Sequence, residues 1–150
     1  MRGRLEDALR AATLARDQRA TSTLRLILAA VRDRDITARS KGNPSGLTDD
    51  QIVALLHAMV KQRRESIRHY ENADRPDLAA REAEEIAVIE RFMPPQMTDD
   101  EVDDAVNRVI GEIQAENLKD IGRVMAVLRA RFAGRMDFSR AGALIKSKLT

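Results

Sequence analysis

The sequence predicts an all-α fold, with a four-helix-bundle-like N-terminal domain over residues 1–95 and a small three-helix C-terminal domain over residues 96–150. Three observations carry this expectation. Apolar residues recur at intervals of three and four along the whole chain, β-branched alternation is sustained nowhere, and glycines and prolines fall between the periodic segments.

The first helix is expected from about Arg4 to Ala15, with Leu5, Ala8, Leu9 and Ala12 inward. A second runs from about Ala20 to Ala38 through Leu24, Ile27, Leu28 and Val31, with Ile36 a candidate for the same stripe. Ser40 to Gly46 cannot continue a helix, because Pro44 lacks a donor and Gly42 and Gly46 favour turns, and the segment reads as a mobile loop. Thr48 with Gln51 forms a capping box for the third helix, and Leu47 can staple onto Ile52. Its stripe is Ile52, Leu55, Leu56, Met59 and Val60, then Ile67 and Tyr70, and Arg63 falls inside it. The fourth helix opens at Asp74 near Pro76, buries Leu78, Ile86, Ile89 and Met93, and closes at Pro94 and Pro95. Glu82 and Glu85 lie within its stripe. Folding the two long helices back around residues 71–76 sets Arg63 opposite these glutamates. A guanidinium in an apolar seam needs a partner, so a structural ion pair of Arg63 with Glu82 or Glu85 is expected.

The two prolines mark a domain boundary. Thr98 with Glu101 is a second capping box, and Asp99, Asp100 and Glu101 suit the positive end of a helix dipole without any metal. Helices five, six and seven are expected to reach about Ala115, to span Asp120 to Phe132, and to span Asp137 to Lys148.

Composition narrows the chemistry. The chain has no cysteine, which excludes disulfides and thiolate ligands, and no tryptophan with 3% aromatics, which argues against base-stacking platforms. No apolar run approaches a membrane span and no signal-peptide core is present, so a cytoplasmic address without membrane association is expected. No phosphate loop, dinucleotide fingerprint or zinc spacing occurs, and His57 and His69 are 120° apart around one helix. No catalytic residue, cofactor or metal ligand is assigned, and the chain is not read as an enzyme on its own.

Charge is segregated along the sequence. Residues 1–47 hold ten basic and five acidic side chains, residues 48–97 seven and ten, residues 98–118 one and seven, and residues 119–150 eight and two. The last segment therefore carries +6 in a protein of net +2. A segregated positive charge suits a phosphate-binding surface, and equally describes solvated helix faces. Lys61 and Arg64, turned away from the core, are further candidates for phosphate contact.

Lys61 to Ile67, then Tyr70, Glu71, Asp77, Leu78, Ala79, Glu82, Glu85 and Ile86, then Phe92 to Pro94, with Leu118 to Met125 and Ala133 to Asp137, resemble the signatures of the YqeY family across essentially the whole chain. That family is similar at its C-terminal end to the tail of GatB, a component of the tRNA-dependent aspartyl/glutamyl amidotransferase, which is a carbon-nitrogen ligase with glutamine as amido-N-donor. The resemblance implies a four-helix bundle followed by a three-helix one. It also implies a tRNA-binding accessory role without the catalytic cradle, with tRNA or other structured RNA and amidotransferase or tRNA synthetase components as partners. Lys119, Gly122, Arg123, Gly134 and Arg135 are the residues it points to for RNA contact, although turn chemistry alone explains either glycine. The alternative is a protein-interaction adaptor using the acidic helix of residues 98–118. Oligomeric state is left open.

Overall fold

The structure, a computed structural model, describes residues 1–150. Its elements are α1 (Arg2–Leu14), α2 (Gln18–Ser40), α3 (Asp49–Asn72), α4 (Pro76–Glu90), α5 (Asp99–Ile113), a 3₁₀ turn (Leu118–Asp120), α6 (Ile121–Phe132) and α7 (Phe138–Lys148). No strand is present, and no helix is long and apolar enough to cross a membrane. The chain divides into two compact units, Met1–Met93 and Pro94–Thr150.

In the first unit α1 to α4 enclose one core. Leu5, Leu24, Ile27, Ile52, Leu56 and Ile89 are its fully buried side chains, each contributing about 1.5–3 kcal/mol by leaving water. α2 starts two residues earlier than its apolar pattern suggests, because the Asp17 carboxylate caps it by accepting from Ala20 N at 3.0 Å. Ile36 lies outside the core, 57% exposed. Five residues beyond Val31 it is rotated about 140° away, and Asp35, one turn beyond Val31, takes the inward position instead.

Asp35 is 7% exposed, and no local pattern around it signals its role. Its carboxylate accepts from Arg2 Nε at 3.1 Å, Arg2 Nη2 at 2.5 Å and Leu47 N at 2.8 Å, while Arg2 Nη2 also donates to Leu47 O at 2.8 Å. The Arg2 guanidinium, then the Leu47 amide, hold the Asp35 carboxyl below the usual carboxylate range. This lock joins α1, α2 and the entry to α3. It also anchors the segment expected to be a mobile loop. Residues 41–47 are tied by Asn43 N to Ala38 O at 3.0 Å, by Asn43 Nδ2 to Gly46 O at 3.1 Å and by Asp35 itself. Gly46 has φ of 72°, and a Cβ there would collide with Asp35 Oδ1.

The Thr48–Gln51 capping box is formed at the start of α3, and α3 and α4 pair as an antiparallel hairpin. Asp74 does not cap α4. It takes a left-handed conformation, φ 55°, in the connecting turn, and Arg75 is the N-cap with Pro76 entering the helix. Arg63 Nε lies 3.0 Å from Glu85 Oε2, with both side chains under 15% exposed, and Arg63 Nη1 donates to Met59 O at 3.2 Å. Glu82 makes no ion pair, so the hairpin register puts Glu85 opposite Arg63.

In the second unit α5, α6 and α7 pack around Val106, Val109, Val124, Leu128, Ala141 and Ile145. The Thr98–Glu101 capping box starts α5, Gln114 ends it in a left-handed conformation with φ 54°, and Asp137 caps α7. Met97 N donates to Arg135 O at 2.9 Å, and Gln96 Nε2 donates to Gly134 O at 2.8 Å, so the segment before α5 is stitched to the α6–α7 connection.

Candidate nucleic-acid interface

The five residues expected to contact RNA do not form one cluster. Lys119, Gly122 and Arg123 sit at the start of α6, whereas Gly134 and Arg135 lie past its end. Twelve helical residues separate the two groups by about 18 Å.

At the start of α6 the Asp120 carboxylate turns back onto the preceding turn and makes no capping bond to the α6 amides. The Asp120 carboxylate accepts from Glu116 N at 2.9 Å and Asn117 N at 3.3 Å, and these amides, ahead of the Arg123 guanidinium, hold it below the usual range. Arg123 pairs with Asp120 at 3.1 Å and donates to Ile113 O at 3.3 Å, so its head group serves the turn. Gly122 is exposed, and a Cβ would meet nothing within 4 Å. Of this group only Lys119 has a charge without a carboxylate partner.

At the other end Gly134 takes φ of 76°, which fits its reading as turn chemistry ahead of the Asp137 cap. Arg135 has a weak bond to Pro95 O at 3.4 Å and otherwise faces a cleft of about 360 Å³. Arg108 of α5 and Arg131 of α6 share its lining, above Val109 and Phe132, with Glu101, Asp104 and Glu112 among the walls. Arg131 is bound to Glu112 at 2.7 Å, which with the more distant charge of Arg108 holds that carboxyl below its ordinary value, while neither Arg108 nor Arg135 makes a direct ion pair. Arg108 was not among the residues expected to contact RNA. It is the single base in the acidic segment 98–118, a lone exception that was the available signal.

The broader electrostatic picture changes as well. Arg131 pairs with Glu112, Arg140 with Asp99 at 2.7 Å and Lys148 with Asp103 at 3.0 Å, so the basic tail folds onto the acidic helix that precedes it in the sequence. Each such surface pair adds only about 0–1 kcal/mol to stability. Their effect on the field is larger, because Pro94–Thr150 holds nine basic and nine acidic side chains. The +6 of the tail is thus cancelled within its own unit. The same pairing occupies three acids of the surface that the adaptor alternative requires.

In the first unit Lys61 is exposed and unpaired, while Arg64 is 3.5 Å from Glu90. No three histidine, aspartate or glutamate side chains are grouped to hold a metal ion.

Comparisons with known proteins complete the picture. A protein from Clavispora lusitaniae named "Altered inheritance of mitochondria protein 41, mitochondrial" is 27% identical over 142 residues, 93% of this chain and 79% of its own length. Proteins of the same name from Lachancea thermotolerans and Kluyveromyces lactis are 27% and 26% identical, over 75% and 73% of this chain. Of these two relatives the match spans only 59% and 58% of the length. The names place these relatives in mitochondria, and the cytoplasmic address expected from the sequence does not stand. It rested on the lack of a signal-peptide core and of a membrane span, and neither bears on an organelle. A family model described as "Yqey-like protein" matches residues 2–149, and the chain belongs to the YqeY family.

Proposed function

We propose that the chain is a non-catalytic accessory protein that binds structured RNA through its C-terminal unit, with tRNA as the target suggested by the likeness of that unit to the GatB tail. One observation carries the reading. Arg135, within the signature segment Ala133 to Asp137, shares a cleft with Arg108 and Arg131, so three arginines from three parts of the unit line one opening, one of them paired with Glu112. Arg108 and Arg135 supply the phosphate contacts, since neither is consumed by a carboxylate, and Lys119 adds a peripheral charge. Guanidinium forks bind phosphate oxygens in bidentate fashion, and a chain poor in aromatics reads RNA by shape and backbone. The acids in the same lining keep the local potential low. The expected interaction is therefore modest, with about two counterions released and a slope of log affinity against log salt near about −2.

Titrating tRNA and an arbitrary RNA duplex of equal length against the full chain at two salt concentrations tests this. Tighter binding of tRNA is expected. Equal affinity for the two RNAs overturns specific recognition, and absence of saturable binding overturns the RNA reading itself.

A further inference from the structure

The first unit carries a basic row on the exposed side of α2. α2 turns Ala20, Leu24, Ile27 and Val31 into the core, and along its opposite, exposed side run Arg25, Ala29, Arg32, Ile36 and Arg39. Their spacing is four, three, four, three, which is the interval of a coiled-coil seam. The seam runs over fifteen residues, Arg25 to Arg39, or about 21 Å of helix. The three arginines are seven residues apart, so they form one row, and the smaller or aliphatic positions alternate with them.

The row is not neutralised. Arg25 and Arg32 make no hydrogen bond or ion pair, while Arg39 has a 3.4 Å bond to Pro44 O and acts at longer range on the Asp35 carboxylate. Of the two acids on this stretch of α2, Asp35 is buried and committed to Arg2, and Asp33 is exposed beside Arg32 as the one negative charge flanking the row. Leu26, 51% exposed, flanks the seam, and Ile36, 57% exposed, lies within it. Aliphatic surface between cations gains nothing against a phosphate backbone, but it packs against a helix. A second copy pressed against the same face would set arginine against arginine, which the charge forbids.

We propose that this face of α2 docks an acidic amphipathic helix of another protein, one with carboxylates at seven-residue intervals and apolar residues between them. Paired guanidinium and carboxylate groups set the register, and Ile36, Ala29 and Leu26 supply the apolar contact. Seven-residue spacing on both sides makes the interaction selective for a helix over a disordered acidic tail.

The test uses the full-length chain and a synthetic acidic peptide of three heptads with Glu facing the arginine row and Leu or Ala between. Fluorescence anisotropy should show saturable binding, weakened about tenfold or more by R25E/R32E, since close charge pairs at interfaces couple at this level or above. The same peptide with Lys in place of Glu should bind the R25E/R32E chain and not the wild type. A scrambled peptide of equal composition should bind about tenfold more weakly than the ordered one. Thermal melts of the variants should match wild type, because both arginines are exposed and unpaired. The proposal is overturned if the ordered and scrambled peptides bind alike, or if charge reversal on both sides fails to restore binding. It is also overturned if an RNA duplex competes for these arginines more strongly than the peptide, which would make the face a nucleic-acid surface.

Discussion

Replacing Asp35 with alanine is the most demanding test of the first unit. The carboxylate receives three hydrogen bonds at 2.5–3.1 Å, two from the Arg2 guanidinium and one from Leu47 N. Breaking a fully buried ion pair costs about 3–5 kcal/mol. Here the Arg2 side chain is 36% exposed, so its charge recovers water once the partner is gone and the cost must fall below that range. The Leu47 amide, in a half-buried residue, loses its acceptor, and a donor left unpaired away from water costs about 1–3 kcal/mol. Together these give about 2–3 kcal/mol for Asp35→Ala. Asp35→Asn retains an acceptor for Leu47 N and should cost about 1 kcal/mol. Urea unfolding followed by circular dichroism measures both. The pH dependence follows from the depressed carboxyl. Its stabilisation is complete above the unfolded value of about 3.9 and is lost as pH falls through the lower folded value. As pH falls below about 4, wild type should therefore lose stability more steeply than Asp35→Asn. A change below about 0.5 kcal/mol for Asp35→Ala, or identical acid profiles, would refute the lock.

Gly46→Ala should cost about 2 kcal/mol or more, because its φ of 72° and the close approach of Asp35 Oδ1 oppose any side chain; thermal melting checks it. Glu85→Ala leaves Arg63 unpaired in the hairpin seam and should cost about 2–3 kcal/mol, whereas Arg63→Met with Glu85→Leu together should cost less than the sum of the single changes, which a double-mutant cycle by urea unfolding measures. Gly122→Ala should raise stability by about 0.5 kcal/mol and leave tRNA affinity unchanged, since a methyl group there meets nothing; a clear loss of affinity in titration would return Gly122 to the RNA contact.

The helices were legible because their signals are local. The capping boxes at Thr48 and Thr98 and the 3.6-residue stripe of α3 need only neighbouring residues to be recognised, and the Arg63–Glu85 geometry follows once the hairpin is folded back. What escaped notice depends on contacts across long sequence separations. Asp35 looks like any helix-surface acid until Arg2, thirty-three residues earlier, arrives beside it. Asp74 stands where a helix cap is usual, yet its backbone is spent on the turn. The candidate site was read less well for the same reason. Summing charge by segment treated residues 98–118 and 119–150 as separate surfaces, while Arg131, Arg140 and Lys148 fold the second onto Glu112, Asp99 and Asp103 of the first. Arg108 joined the cleft only because α5 and α6 pack side by side.

The most direct test of the functional account is the salt dependence of tRNA binding by the full chain, measured for wild type and for Arg108→Ala with Arg135→Ala. Each phosphate contact removed lowers the slope by about one, so the double variant should bind more weakly and lose about two from the slope. An unchanged slope and affinity in that variant, or an equal loss on replacing Arg140 and Lys148 instead, would contradict the assignment of RNA contact to this cleft.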